Sequence, residues 1–166
     1  QDYYIELWFE ARAMSRQFQY YTEHITLVPF GGQPSLDLKW RLAENIDRMS
    51  DMYGNPITIL YFGDCDNAGG IISDAVERDV RSWASTDFEF IYCGLTVDQA
   101  AQWNVPESVQ NPGQYQWEAL SDEGAKSIIG DAVRKFVRQD MFSEIESIER
   151  GTRALFRDTL QPLTAE

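Results

Sequence analysis

The chain has 166 residues, a formal charge of −13, 43% hydrophobic residues, five tryptophans, two cysteines and one histidine. That length fits one domain with a real core, and the apolar content fits a folded globule rather than a disordered chain. The acidic excess argues against broad, non-specific adhesion to nucleic acid, two cysteines make neither a disulfide framework nor a zinc cluster, and the solitary His24 makes a Ser-His-Asp site a poor expectation.

In chain order, Tyr3 to Phe9 reads as a first strand, aromatic and apolar apart from Glu6, with Glu10 at its end. So early a strand suggests the remainder of a longer protein. Ala11, Met14, Phe18 and Tyr21 then recur at helical spacing, leaving Arg12, Arg16 and Gln17 on the polar face. By itself Glu10 reads as a first-turn acid facing the helix dipole; its place at a strand's carboxyl end raises it above that. Ile25 to Phe30 forms a second strand closed by Gly31-Gly32-Gln33-Pro34. Ser35 then caps a long helix whose core stripe is Leu38, Leu42, Ile46, Met49 and Tyr53, ended by Gly54-Asn55-Pro56.

The most informative stretch is the third strand, Ile57 to Phe62, six apolar or β-branched residues that suit a parallel strand buried on both faces. It empties into Gly63-Asp64-Cys65-Asp66, and alternation points both carboxylates the same way, past the strand's carboxyl end. Two carboxylates converging without a base between them call for a hard cation, and Mg²⁺ is the natural candidate. The competing reading is turn chemistry, an Asp accepting backbone N–H groups at a helix start, and the stretch alone leaves both open. Gly69 and Gly70 would let backbone approach a ligand closely as the next helix opens.

That helix carries Ile72, Val76, Val80 and Trp83, and Phe88 to Cys93 is a fourth strand. The order β-α-β-α-β-α-β predicts a four-stranded, mostly parallel α/β sheet flanked by helices, with Glu10, Asp64 and Asp66 on one edge. Beyond it, Leu95 to Ala100 forms a short turn capped by Thr96, residues 104–114 a loop, and Gln116 to Leu120 a return to apolar material. Ser121 caps a helix with Ala125, Ile128, Ile129, Ala132, Val133, Phe136 and Val137. A last helix with Met141, Ile145, Ile148 and Leu155 runs to about Asp158. Arg134, Lys135 and Arg138 read as a solvated basic face, with nucleic-acid contact as the alternative. The expected organisation is one domain over 1–166, with a core over about 3–94 and an extension over about 95–166. No apolar run is of membrane-spanning length, and Gln1-Asp2-Tyr3-Tyr4 lacks the basic flank of a signal peptide, so no membrane partner and a cytoplasmic location are expected.

A glutamate closing the first strand and an Asp-x-Asp closing the third, followed by glycines, resembles the Toprim domain of topoisomerases, bacterial primases and several nucleases. The matching residues are Glu10 in Trp8-Phe9-Glu10-Ala11, and Asp64 and Asp66 in Gly63-Asp64-Cys65-Asp66-Asn67-Ala68-Gly69. Over about residues 3–140 the chain also resembles phage and bacterial Toprim proteins distantly similar to the A subunit of topoisomerase VI. Gly32 with Ser35, Leu95 to Gln99 and Trp117 to Leu120 are its weaker counterparts of their later segments. The chain departs from the pattern at Ala11, where many relatives have lysine, and at Asn67, where a proline or third acid is common.

The resemblance implies Mg²⁺- or Mn²⁺-dependent phosphodiester cleavage or transfer on nucleic acid, expected to be DNA, as a nuclease or a topoisomerase-like cleavage component. Glu10, Asp64 and Asp66 are the implied catalytic and metal-binding residues, and Glu118 is a speculative further acid. Arg12, Arg16, Gly69 and Gly70 are candidate phosphate contacts. A partner domain or subunit would supply basic surface or a nucleophilic tyrosine, and a DNA-binding domain would precede this one in a longer protein. The alternatives are a non-catalytic Toprim-like binding or assembly module and, further off, a nucleotide-sugar transferase that uses its Asp-x-Asp to hold a diphosphate's metal.

Overall fold

Runs of β-branched and aromatic residues at four places build one sheet. It consists of β1 (Tyr4–Phe9), β2 (Thr26–Pro29), β3 (Ile57–Phe62) and β4 (Glu89–Gly94), in the order β2-β1-β3-β4. Every neighbouring pair is parallel. The structure is a computed structural model and describes residues 3–22 and 25–137. His24, Arg138 and the expected last helix with Met141, Ile145, Ile148 and Leu155 lie outside the described residues. The chain divides into two compact units, Asp2–Phe136 and a second formed by Gln1 with Val137–Glu166; the sheet and its helices belong to the first.

Five helices connect and cover the strands: α1 (Ser15–Tyr21), α2 (Leu36–Tyr53), α3 (Asn67–Trp83), α4 (Val97–Gln102) and α5 (Asp122–Arg134). Because side chains alternate along a strand, β1 and β3 feed two cores. Leu7, Phe9, Leu60 and Phe62 meet Met14 and Phe18 before and within α1, and Ala125, Ile128 and Ile129 of α5. On the other face Trp8, Ile57, Ile59 and Tyr61 meet Leu42, Ala43 and Ile46 of α2 and Val76 and Val80 of α3. All six residues of β3 are buried, as a strand covered on both sides requires. Each large apolar side chain so enclosed contributes about 1.5–3 kcal/mol. The result is a three-layer, Rossmann-like α/β fold with an all-parallel sheet. Among the described residues no helix is long and apolar enough to cross a membrane.

The sequence pattern is refined at several points. Arg12–Met14 is a 3-10 turn, with Ala11 still extended (φ −101°, ψ 129°), so α1 starts at Ser15 and Glu10 continues off the strand rather than opening a helix. In α2, Ser35 caps the helix by accepting the Leu38 N–H, and Leu42 and Ile46 are buried. Tyr53 instead stands 55% exposed and stacks on Tyr4. Helix α3 begins at Asn67, so its glycines lie inside the first turn. Leu95, Ala100, Val105, Trp117 and Leu120 join the same core as β1 and β3. Residues 95–136 are therefore the cover of one sheet face, not an appendage.

Polar groups lock the frame. Glu6, 1% exposed on a central strand, accepts hydrogen bonds from Tyr4 Oη (2.9 Å), Trp8 Nε1 (2.7 Å) and Asn45 Nδ2 (2.7 Å), which makes a buried carboxylate tolerable. Asp47 of α2 accepts the backbone N–H groups of Ser85 and Thr86 and fixes the turn between α3 and β4. Beside the end of β4, Gln99 completes a capping box with Thr96, and its Nε2 donates to the Cys93 carbonyl at 2.8 Å.

Candidate acidic site at the carboxyl edge of the sheet

The parallel sheet brings the ends of β1 and β3 side by side, and with them the acids. The Glu10 N–H donates to the Phe62 carbonyl at 3.0 Å, while the Glu10 carbonyl accepts from Gly31 (2.8 Å) and Gly32 (2.9 Å). Gly63 continues the ladder toward the other side, donating to Gly94 at 2.7 Å and accepting from Leu95 at 2.6 Å. Backbone bonds on both flanks thus fix where the side chains of Glu10 and Asp64 start.

The carboxylates then differ. Asp66 is the N-cap of α3 and accepts the Gly69 N–H at 2.5 Å, the turn chemistry that competed with metal binding in the sequence. Asp64 Oδ1 accepts the backbone N–H of Trp117 at 2.8 Å. Glu10 Oε2 is buried and has no hydrogen-bond partner. It points at the glycines: a Cβ built on Gly63 would stand 2.8 Å from it, and one on Gly69 would stand 3.3 Å away. Gly69 is closed to any side chain, because its Cβ would also overlap the Asp64 carbonyl oxygen.

Electrostatically the edge is one-sided. Burial, then the charge of Asp64, raises the Glu10 carboxyl above its ordinary range; the Asp64 backbone N–H opposes this, and Asp66 and Glu118 add to it. Burial also raises Asp64, against the Trp117 N–H, with Glu118 and Asp66 contributing. Among the described residues, the charges acting on Asp64 are those of Glu118 and Asp66. Neither Arg12 nor Arg16 takes part in the ion pairs found among the described residues. Both are exposed, and Arg12 lies across Gly31, where a Cβ would come within 2.7 Å of its Nε. The Gly69 N–H is given to Asp66 Oδ1 and the Gly70 N–H to the Asp66 carbonyl. These two glycines therefore offer close approach rather than unused donors. Of the basic cluster, Arg134 pairs with Asp131 on its own helix.

Sequence reasoning underrated the segment 115–118. Cys65 and Tyr115 exchange backbone hydrogen bonds (2.9 and 3.0 Å), Trp117 binds Asp64, and Glu118, although exposed, adds its charge to the edge. Tyr92 was missed as well: its hydroxyl donates to the Asp64 carbonyl at 3.0 Å. The resemblance picks out Trp117 and Glu118, whereas nothing in the local pattern marks Tyr115 or Tyr92, which act through contacts distant in sequence.

Among the described residues no three His, Cys, Asp or Glu side chains are gathered as they stand into a group that would hold a metal ion. What the edge does offer is an orphaned carboxylate oxygen on Glu10 and carboxylates of Asp64 and Asp66 whose recorded bonds each use Oδ1. That donor set suits a hard cation, because an ion would satisfy the orphan and relieve the repulsion. Compared with known proteins, the chain matches no family model, no curated protein sequence and no solved structure.

Proposed function

We propose that the Glu10–Asp64–Asp66 edge holds Mg²⁺ or Mn²⁺ and serves phosphodiester cleavage or transfer on nucleic acid, in the manner of the Toprim domains that the sequence resembles. The observation that carries this reading is Glu10 Oε2, a buried carboxylate oxygen without a partner, set among further acids. Leaving such an atom unsatisfied costs about 1–3 kcal/mol or more, so a group that binds there gains that much. A bound divalent ion would polarise a phosphate oxygen and offset charge at the leaving oxygen. Asp64 and Asp66 hold their carboxylates on backbone anchors beside that position. Glu10, whose carboxyl burial and the neighbouring Asp64 charge raise above its ordinary range, is the acid of the edge placed to act as general acid or base or to ligate a second ion. At a formal charge of −13 the chain needs a partner domain or subunit to supply basic surface, and the nucleophile is water or that partner's tyrosine.

One observation favours a second reading, a binding or assembly module of the same fold: Asp64 and Asp66 already serve backbone N–H groups, and no ready-made metal cluster exists among the described residues. A plasmid-nicking assay with Mg²⁺ separates the two. Relaxation of supercoiled DNA by the parent and its loss in Asp64→Asn and Glu10→Gln support the enzyme; equal activity in all three proteins removes the catalytic assignment.

A further inference from the structure

Asp64 is held at two points by groups from other parts of the chain. Its carboxylate Oδ1 accepts the Trp117 N–H at 2.8 Å, and its carbonyl accepts the Tyr92 hydroxyl at 3.0 Å. Tyr92 stands opposite Tyr61 in the β3–β4 register, the two rings 5.8 Å apart, and its hydroxyl reaches past the end of β3. There it also lies 3.3 Å from the Gly63 carbonyl and 3.3 Å from the Leu95 carbonyl. A phenol has one hydrogen to give, so three carbonyls share it, with the Asp64 oxygen nearest. One side chain of β4 therefore ties the segment leaving β3 to the segment leaving β4, at a residue that bears a candidate ligand.

Strand pairing does not need this tie. Gly63 already exchanges backbone bonds with Gly94 and Leu95 at 2.7 and 2.6 Å. What the hydroxyl adds is a hold on the next peptide, that of Asp64, from which the carboxylate projects. Asp64 itself is half-buried rather than enclosed, and the charges of Glu10 and Asp66 reach the same phenol. A ligand held in direction before the ion arrives binds it more tightly, because the ordering has already occurred on folding. We propose that Tyr92 is a positioning residue of the acidic edge: by holding the Asp64 peptide, it sets the direction in which the Asp64 carboxylate meets a divalent cation. The inference rests on the cation reading above and deepens it, and it gives Tyr92 no contact with the ion.

The test titrates Mn²⁺ by calorimetry into the full-length parent, Tyr92→Phe, Asp64→Asn and Asp47→Ala, at a temperature where melting curves show all four folded. Tyr92→Phe keeps the ring against Tyr61 and loses only the hydroxyl. Its Mn²⁺ affinity should fall about tenfold, the size expected when a group that orients a ligand is removed. Asp64→Asn should bind more weakly still. Asp47→Ala loses the bonds to Ser85 and Thr86, away from the edge, and should bind Mn²⁺ as the parent does. If Tyr92→Phe binds Mn²⁺ as tightly as the parent while Asp64→Asn does not, the role of Tyr92 is overturned and the cation site stands. If Asp47→Ala weakens binding as much as Tyr92→Phe, affinity merely follows stability, and the role is again overturned. A parent that binds no Mn²⁺ overturns both the inference and the cation reading.

Discussion

Trp117 donates its backbone N–H to Asp64 Oδ1 at 2.8 Å, across 53 positions of sequence. The bond joins the acidic edge to the segment that covers one sheet face, and the Cys65–Tyr115 backbone pair sits beside it. Asp64 is thus both a candidate ligand and a structural acceptor, and substitutions can separate the two. Asp64→Asn keeps an oxygen for the Trp117 N–H, whereas Asp64→Ala leaves it without a partner. Urea denaturation should place the alanine protein about 1–2 kcal/mol below the asparagine protein, while on the proposed cation site both should bind Mn²⁺ more weakly than the parent.

Glu10 gives the edge a pH dependence whose sign follows from its raised carboxyl. The folded chain holds this proton more tightly than the unfolded chain, so stability falls as pH rises from the ordinary value of 4.5 through the folded value. Glu10→Gln removes that loss. Its melting temperature should exceed the parent's at pH 7, and the difference should close below pH 4.5. Glu6 and Asp64 shift in the same direction and remain in both proteins, so the comparison reads Glu10 together with its repulsion from Asp64. If the edge holds Mg²⁺ as proposed, saturating Mg²⁺ should reverse the order at pH 7, because the ion would stabilise the protein that keeps the carboxylate.

Two neighbouring glycines should respond oppositely to alanine. A Cβ at Gly69 overlaps the Asp64 carbonyl oxygen, which is backbone and cannot swing away, and crowds Glu10 Oε2. Gly69→Ala should destabilise by about 1–3 kcal/mol. A Cβ at Gly70 meets nothing within 4 Å, and Gly70→Ala should stabilise α3 by about 0.5–1 kcal/mol. Equal effects in a denaturant series would contradict the packing described for the first turn of α3.

Asp47 offers a control far from the edge. Burial nudges its carboxyl up, and the N–H groups of Ser85 and Thr86 more than reverse this, leaving it below its ordinary range. Its contribution is present above the ordinary value of 3.8 and disappears as pH falls through the lower folded value. Asp47→Ala should cost about 1 kcal/mol at neutral pH, an amount kept modest by partial exposure. Melting curves at pH values falling below 3.8 should show the gap closing.

The sheet was legible because its determinants are local. Ile57 to Phe62 announces a doubly buried strand in six consecutive residues, and Ser35, Thr96 and Ser121 sit as N-caps where their helices begin. The carboxyl edge was legible too, since a parallel order forces the strand ends together. The use made of each acid was not. Whether Asp66 caps a helix or faces a ligand depends on where the Gly69 N–H points, and the Asp64 bond depends on a chain return at Trp117. Tyr61 reads in the sequence as one more aromatic on a buried strand, because the missing partner of its buried hydroxyl is a property of its three-dimensional surroundings. Ala11 read as the first residue of a helical stripe, whereas its extended backbone delays α1 to Ser15.

The Gln99 amide on the Cys93 carbonyl has a consequence for the protein in company. A parallel sheet with an uncovered outer strand offers a row of backbone acceptors on which a foreign strand can template itself. Here the carbonyl near the end of β4 is already taken by a side chain of the same chain, and Cys93 Sγ lies 3.5 Å from the Ile91 carbonyl on that strand. The rung that would seed edge-to-edge growth is therefore occupied from within. Replacing Gln99 with a residue that lacks an amide frees that one carbonyl for a bond from another chain.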